Sequence, residues 1–407
     1  MNVSIGYHTF SISKLLTQEQ ATVIFRRFKE LCKKGEFAII KLQNYGYNPC
    51  DRYYKFTYKN NSKGITWIIK FGIGGFHRNG ELHSCSVKAV INPKILTGEK
   101  TYVVAANSAH LRDVEYFFNL EANRISPLLN DFYNYNINRL DYCINFNVFE
   151  LIKGCPDSLK PQLPKMIMQL IRKGDIPNHF IEKYKDIEQF YLESNSVVIN
   201  CYWKYFELLK NYPECVSLNE SFDIIRFEVQ CKYHKMCTLK TALKNKDESV
   251  NEYILSSLSF SKDGDSFVEQ HKIQRNDAVV AAEGLLSDKH CFGIINNYYA
   301  KIIKPGDYYS FQKAKNRINE EVPSWCKAQR LIETLEYIEK QGGIAKAKST
   351  LNKDALDNFR RSLRELKELK INPVVIPKEW GIAFIPNLLD KYCQLIALEE
   401  IDKIKMM

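Results

Sequence analysis

Three short segments of the sequence place charged or nucleophilic residues at every second position, the spacing that brings side chains to one face of a β-strand. The segments are Ile137–Phe146, Val197–Tyr205 and Ile224–Lys232. Their polar positions are Arg139 and Asp141, then Asn200, Tyr202 and Lys204, and finally Arg226 and Glu228. The intervening positions are mostly apolar, so the spacing predicts strands that pack on helices by one face and carry these residues on the other.

These residue types suit the cleavage of a phosphodiester bond. A tyrosine hydroxyl has a pKa near 10 and attacks phosphorus only with help. A divalent cation supplies such help by polarising the phosphate, and Asp141 and Glu228 carry the oxygen ligands that Mg²⁺ or Mn²⁺ prefers. We therefore predict that Tyr202 is the nucleophile and that the two acids bind the metal ion.

Three cations accompany the tyrosine and the acids. Lys204 follows Tyr202 by two positions, so strand alternation places both on one face, and we expect Lys204 to contact the phosphate or to lower the pKa of the tyrosine. Arg139 and Arg226 are expected to orient the carboxylates or to bind flanking phosphates. For either arginine–acid pattern alone, a structural ion pair inside the sheet is the better interpretation. Both patterns together, with a tyrosine and a lysine between them, favour a catalytic site.

Other residues compete for these roles. Among the 24 tyrosines the nearest alternatives are Tyr191, Tyr205 and Tyr233, and strand alternation selects Tyr202 over them. No two of the eight histidines are separated by a single residue, so a histidine-hydrophobe-histidine metal motif is absent and we expect carboxylates to hold the metal. His234 could reach the site, but a surface role is the better interpretation of it. The phosphate-binding loop G-x-x-x-x-G-K-[ST] is absent, which argues against an ATPase.

Composition favours a folded protein with an anionic partner. The chain has 407 residues, 45% of them hydrophobic, and carries a net charge of +11. Between Lys301 and Lys370 there are 16 Lys and Arg against 10 Asp and Glu, which indicates either a nucleic-acid-facing region or a solvated helical surface. The twelve cysteines form no C-x-x-C pair, and we find neither a signal peptide nor a membrane-spanning segment. We expect reduced thiols, a cytoplasmic location and no membrane partner.

The order of predicted elements indicates an α+β fold. A strand, a helix with a capping box at Thr17–Gln20 and several antiparallel strands precede Ile137, and the same order recurs through Lys232. This duplication predicts an α+β catalytic domain over residues 1–250, followed by a mainly helical, basic region over residues 251–407. Residues 234–300 are predicted as short helices and loops, with an exposed break at Ser261–Ser266.

Two helices are predicted in the C-terminal region, one at about Ser324–Gln341 and one from Lys353 onwards. Joined by Ile344–Thr350, they form either a variant of the helix-turn-helix motif or a small helical support domain. The outer face of the second helix carries three arginines that we expect to bind DNA, namely Arg360, Arg361 and Arg364.

Four stretches resemble the replication-initiation-factor superfamily, which includes the filamentous-phage gene II replication protein and the Rep_trans plasmid initiators. They are Lys88 through Lys94-Ile95-Leu96-Thr97-Gly98, Ile137-Asn138-Arg139-Leu140-Asp141, Val198–Lys204 and Ile225–Glu228. The stretches occur in the family's order, and the resemblance covers about residues 84–233. We expect Lys88 and Lys94, in the first stretch, to contact DNA.

By this resemblance Tyr202 matches the family's nicking tyrosine and Lys204 the lysine that follows it, while Asp141 and Glu228 match the acids that bind the metal. Two positions depart from the family pattern. Trp203 stands where the plasmid branch often has an acid, and Ser86 stands where a further carboxylate is expected. The third metal ligand is therefore not identified.

The resemblance implies a rolling-circle replication initiator of a phage or plasmid. Such an enzyme nicks a double-strand origin through a 5′-phosphotyrosine, leaves a 3′-hydroxyl for the host DNA polymerase, and rejoins the displaced single strand, with a host helicase as a further partner. A relaxase of a mobile element would use the same chemistry, and a non-catalytic DNA-binding regulator is a third interpretation. The sequence leaves open the origin sequence, the type of genetic element and the oligomeric state.

Overall fold

One large antiparallel sheet organises the chain in the computed structural model. The structure describes residues 5–45, 52–60, 63–73, 85–99, 104–152, 156–184, 188–211, 213–214, 217–244 and 282–396. The predicted α+β class is confirmed, because a ten-stranded sheet is followed by a helical C-terminal region. The break predicted at Ser261–Ser266 and the domain boundary predicted after residue 250 lie outside the described residues.

The ten strands form two runs that meet at the centre of the sheet. They are β1 Ile5–Leu16, β2 Ala38–Tyr45, β3 Arg52–Asn60, β4 Ile65–Ile73, β5 Cys85–Ile91, β6 Asn136–Asn147, β7 Ile181–Tyr184, β8 Gln189–Glu193, β9 Val197–Trp203 and β10 Ile224–Cys231. Their order is β2-β3-β4-β5-β1-β6-β10-β9-β8-β7. Strands β1 and β6 pair antiparallel from Ile5–Ile144 to Ser13–Asn136 and so join the two runs.

The helices lie between and after these strands. They are α1 Gln18–Lys33, α2 Pro93–Leu96, α3 Leu111–Ile125, α4 Val148–Leu151, α5 Leu163–Arg172, α6 Lys204–Asn211, α7 Tyr233–Lys244, α8 Asp288–Ile302, α9 Phe311–Glu321, α10 Trp325–Gln341, α11 Ile344–Ser349 and α12 Lys353–Glu368. A two-stranded sheet pairs β11 (Tyr308–Tyr309) with β12 (Phe384–Ile385). None of the helices in the described part of the chain is long and apolar enough to span a bilayer.

The two halves of the ten-stranded sheet have the same topology. The first half reads β2-β3-β4-β5-β1 from its outer edge inwards, and the second reads β7-β8-β9-β10-β6 in the same direction. Helix α1 follows β1 and packs on β4 and β5, and α5 comes after β6 and packs on β8 and β9. The recurrence of strand, helix and several strands, predicted from sequence, is present in the structure.

Helices cover one face of the sheet because that face is apolar. Helix α1 begins at the predicted capping box, where the N–H of Gln20 donates to Thr17 Oγ1 at 3.2 Å and the N–H of Thr17 donates to Gln20 Oε1 at 3.1 Å. At the centre, α8 packs on β1, β6 and β10. This 15-residue helix lies where only short helices and loops were predicted, and its inward residues, such as Ile295, are fully buried.

The C-terminal helices partly match the prediction. Helix α10 ends at Gly342, which adopts a left-handed conformation with φ of 77°, as the Gly-Gly pair indicates. The segment predicted as a turn between two helices is itself helix α11, so α10 and α12 are not joined by a simple helix-turn-helix connection. Core residues of this region, including Ile338 and Phe359, belong to the same hydrophobic cluster as the sheet.

Candidate active site

The register of the central strands brings the predicted polar residues to one face. Directly opposite residues of paired strands share a face, and Tyr202 of β9 lies opposite Arg226 of β10. Glu228 lies opposite Asn200 on β9, and Asp141 of β6 lies opposite Gln230 on β10. We call the face that carries these side chains the polar face. Three segments predicted separately are thus neighbours, in the order β6-β10-β9.

Tyr202 lies between an acid and an arginine. Its hydroxyl donates to Glu228 Oε2 at 3.4 Å, and a hydrogen bond also links its side chain to that of Arg226. The fully buried Arg226 donates from Nε to Asn145 Oδ1 at 2.7 Å, which fixes its position between β6 and β9. Burial raises the pKa of the Tyr202 hydroxyl well above its usual 10, and the Arg226 charge opposes that rise.

Lys204 reaches the same site from a different element than predicted. Strand β9 ends at Trp203, and Lys204 is the first residue of α6, so the strand predicted through Tyr205 is two residues too long. The Lys204 ammonium nevertheless lies 5.8 Å from the centre of the Tyr202 ring and donates to Glu207 Oε2 at 2.5 Å. Burial and the neighbouring Arg226 lower the pKa of Lys204 to about 8, which leaves it largely charged at pH 7.

Arg139 and Asp141 form a two-pronged ion pair along β6. Arg139 Nε donates to Asp141 Oδ1 at 2.8 Å and Arg139 Nη2 donates to Asp141 Oδ2 at 2.5 Å. The Asp141 side chain is 1% exposed whereas that of Arg139 is 33% exposed. Both oxygens of the predicted metal ligand are therefore already bonded to a cation, as the structural ion-pair interpretation requires.

The pKa values of both acids on the polar face, Asp141 and Glu228, are raised. Burial, and after it the charge of Asp141, raises the pKa of Glu228 from its usual 4.5 to about 7. Burial also raises the pKa of Asp141, although Arg139 acts against this. A carboxylate with a pKa near 7 exists in both protonation states at neutral pH, so Glu228 can accept and return a proton.

His8 is a site residue that the sequence did not reveal. It lies in a β-bulge of β1, between Tyr7, which pairs with Tyr142, and Thr9, which pairs with Asp141. Its Nδ1 is 4.0 Å from Glu228 Oε2 and 3.1 Å from Thr9 Oγ1. Burial and the charge of Arg226 lower the pKa of His8 well below 6.5, so the ring is neutral. Only the pairing of β1 with β6, which no local pattern encodes, brings it here.

The donors at this site match a divalent cation in type. Asp141 and Glu228 offer carboxylate oxygens, which Mg²⁺ and Mn²⁺ accept, and His8 offers a neutral imidazole nitrogen, a donor typical of transition-metal sites. As arranged, however, no group of three His, Cys, Asp or Glu side chains in the described part of the chain could hold a metal. Asp141 could bind a metal only after its oxygens are released from Arg139.

A cavity of about 440 Å³ lies beside Tyr202. It is lined by Tyr202 and Asn200 from β9, by Gln189 from β8, and by Phe206 and Glu207 from α6. The Phe206 side chain, 37% exposed, provides an aromatic surface beside the nucleophile. Such a surface can stack a nucleic-acid base.

Of the rival tyrosines, only Tyr191 reaches the polar face of the site. It lies on β8 opposite Asn200, and this pairing places Tyr191 and Tyr202 on the same face of the sheet. Tyr205 belongs to α6 and packs on Trp203, with ring centres 6.1 Å apart. Tyr233 begins α7 and is exposed, as is His234 beside it. Tyr202 is thus the tyrosine in contact with Glu228 and Arg226.

The residues predicted to bind DNA occupy three different environments. Lys88 lies on β5 opposite Ser13 of β1, and its pKa is lowered first by burial and then by Arg139, so it belongs to the polar face. Lys94 is buried and donates to Glu99 Oε2 at 2.6 Å, which fits a structural ion pair rather than a DNA contact. The three arginines of α12, Arg360, Arg361 and Arg364, are exposed on the helical region.

No protein-family model matches the sequence. No curated protein matches it significantly either.

Proposed function

We propose that this protein is a DNA-nicking and -joining enzyme that initiates rolling-circle replication, with Tyr202 as its nucleophile. The observation that carries the proposal is the position of the Tyr202 hydroxyl, 3.4 Å from Glu228 Oε2 and hydrogen-bonded to Arg226, in a residue that lines a cavity beside α6. A base, a cation and a nucleophile at the wall of a cavity together are the parts that phosphodiester transfer requires.

In the proposed reaction the Tyr202 oxygen attacks the phosphorus and the P–O3′ bond breaks. The hydroxyl proton passes to the Glu228 carboxylate, to which the hydroxyl donates at 3.4 Å. The pKa of about 7, which suits a general base at neutral pH, is that of Glu228 without a bound cation. Arg226 and Lys204 stabilise the charge that develops on the phosphate. The products are a 5′-phosphotyrosine and a 3′-oxygen that takes up a proton, and reversal of the same steps rejoins the strand.

The proposal includes a divalent cation, Mg²⁺ or Mn²⁺, which would polarise the scissile phosphate when bound. Asp141 and Glu228 are the residues that would hold it, and His8 Nδ1, 4.0 Å from Glu228 Oε2, would be the nearest nitrogen donor, although in the arrangement described these side chains do not form a three-ligand site. Arg139 would then leave Asp141 and become available to a flanking phosphate. DNA, a host helicase and the host DNA polymerase are the partners that this function implies.

The test uses supercoiled DNA that carries the sequences flanking the gene for this chain. With Mg²⁺ or Mn²⁺ we expect the wild-type protein to produce nicked and relaxed circles and protein attached to a DNA 5′ end. Tyr202→Phe should abolish both products, because the nucleophilic oxygen is lost. Tyr191→Phe is the matched control, since it removes a hydroxyl from the same face one strand away, and it should retain activity. Equal activity of Tyr202→Phe and wild type would disprove the assignment.

A second candidate function is non-catalytic DNA binding on the same scaffold. The two-pronged Arg139–Asp141 pair favours it, since a purely structural ion pair would have this geometry. In that case the wild-type protein would bind the same DNA without cutting it under any metal condition. Asp141→Asn would then alter stability but leave DNA affinity unchanged.

A further inference from the structure

A basic cleft of about 690 Å³ lies in the helical region, between α8, α11 and α12. Six cationic residues line it, namely Lys301, Lys304, Lys348, Arg360, Arg364 and Lys367. Asp357 is the acidic residue among the lining residues. We propose that this cleft binds the phosphate backbone of a nucleic-acid strand, as a site separate from Tyr202.

Part of the positive charge in the cleft is not neutralised by neighbouring acids. Lys304 and Lys348 both pair with Asp175, the former at 2.7 Å, and Arg360 pairs with Asp357 at 3.0 Å. Lys301, Arg364 and Lys367 make no salt bridge with any acid in the described part of the chain. A site with surplus cations selects an anionic ligand.

The arrangement of the cations indicates an extended anion rather than a single phosphate. Arg360, Arg364 and Lys367 follow one another at helical spacing along α12, and seven residues of helix rise about 10 Å. Phosphates along one DNA strand advance about 3.4 Å each, so this stripe matches several consecutive phosphates. The exposed side chains of Asn296 and Asn297 on the opposite wall add neutral donors and acceptors that suit sugar and base edges.

The cleft and the polar face lie on opposite sides of α8 and the sheet. Helix α8 buries Ile295 and Tyr299 toward the apolar face of the sheet, whereas Asn296, Asn297 and Lys301 of the same helix line the cleft. The nucleotides of a DNA strand that are bound in the cleft therefore cannot themselves contact Tyr202. Binding at the cleft does not depend on nicking, so this proposal and the proposed function can fail separately.

The first test measures DNA binding in the Tyr202→Phe background, where no covalent product forms. Fluorescence anisotropy with a labelled 20-nucleotide single strand and with the corresponding duplex reports affinity at several salt concentrations. Arg364→Glu should weaken binding of at least one of these about tenfold, because it replaces a phosphate contact by a like charge. The slope of log Kd against log salt concentration should also decrease by about 1, as expected for the loss of one phosphate contact.

Arg361→Glu is the matched control. It makes the same charge change on an exposed residue of the same helix, but Arg361 bonds to Asn358 and does not line the cleft. Its affinity should stay within about twofold of the parent. Equal weakening by the two substitutions would show that only the general positive field of α12 matters, and would overturn the cleft as a site. No weakening by Arg364→Glu would overturn it as well.

Two further measurements locate the ligand and identify its class. Bound DNA should protect Lys301 and Lys367 from acetylation, as read by mass spectrometry, and should leave the exposed Lys340 of α10 reactive. Vesicles of anionic phosphatidylglycerol test the alternative that the cleft binds a membrane surface. If Arg364→Glu released the protein from vesicles but left DNA affinity unchanged, the nucleic-acid assignment would be wrong.

Discussion

At the scale of single residues, the behaviour of Glu228 follows from its position between Asp141 and Tyr202. Burial and the charge of Asp141 raise its pKa from 4.5 to about 7, while Arg226, Arg139 and Lys204 limit the rise. The acid and the tyrosine therefore share a site in which a proton can be exchanged. The raised pKa of Glu228 could not be predicted from the residue types alone, because it arises from burial and from neighbours on other strands.

We predict that Glu228→Gln changes the pH dependence of stability. Between pH 4.5 and about 7 the folded protein holds a proton on Glu228 that the unfolded chain releases, so wild-type stability falls as the pH rises through this range. The loss is on the order of 3 kcal/mol. Since glutamine does not titrate, Glu228→Gln should be more stable than wild type at pH 8, and this advantage should vanish near pH 4.5.

Thermal unfolding of both proteins across this pH range measures the effect. Glu220→Gln serves as the control, because Glu220 is exposed and its substitution should give a constant difference from wild type. Parallel melting curves for wild type and Glu228→Gln from pH 4.5 to 8 would mean that Glu228 titrates normally. The general-base role proposed for it would then lose its support.

At the scale of elements, sequence patterns located most strands and helices but misjudged where β9 ends. The alternation of Val197–Trp203 continues through Lys204 and Tyr205 and so predicts a strand there, whereas the strand ends at Trp203. The same residues begin α6, whose buried positions, Lys204 and Leu208, are four apart as in a helix. Local alternation cannot distinguish these outcomes where a strand runs directly into a helix.

Helix α6 matters to the site because it carries Phe206 beside Tyr202. We predict that Phe206→Ala weakens binding of single-stranded DNA about tenfold or more, since base stacking on an aromatic ring contributes about 1–3 kcal/mol per base. Overall stability should fall, but by less than the ~3–5 kcal/mol lost with a fully buried phenylalanine, because the ring packs against Trp203 yet is 37% exposed. Fluorescence anisotropy with a labelled oligonucleotide and a thermal melt measure the two quantities.

Phe384→Ala is the control for this substitution. Phe384 is 39% exposed, a fraction close to that of Phe206, but it belongs to β12 in the C-terminal region. Its loss should leave single-strand affinity unchanged. An equal effect of both substitutions would indicate that exposed aromatic residues bind DNA without regard to place, and that the cavity beside Tyr202 is not the binding site for the strand.

At the scale of the whole molecule, the duplication explains which features the sequence could not predict. The recurrence of strand, helix and several strands was predictable from the sequence, and alternation predicted that the polar residues of each single strand share one face. The joining of the halves through β1 and β6 was not predictable, because that pairing connects residues more than 120 positions apart. His8 enters the site only through this pairing, and so no local pattern identified it.

The same pairing predicts that both halves unfold together. Strands β1 and β6 form a continuous ladder, α8 packs across β1, β6 and β10, and one hydrophobic cluster contains residues of both halves. Trp67 on β4 and Trp203 on β9, which are 1% and 5% exposed, report on the first and second half respectively. Exposure of either ring on unfolding should change its fluorescence strongly.

The measurement uses two variants, each retaining one of these tryptophans, with the other three of the four tryptophans replaced by phenylalanine. In a urea titration, the midpoint reported by the tryptophan fluorescence of each variant should equal the midpoint from that variant's own circular dichroism. The reason is that a break between the halves would expose the backbone of β1 and β6 together with the core under α8. A lower midpoint for Trp67 alone would mean that the first half opens independently. His8 would then leave the site before the second half unfolds. The ten strands would in that case behave as two sheets that dock through β1 and β6, and not as one cooperative sheet.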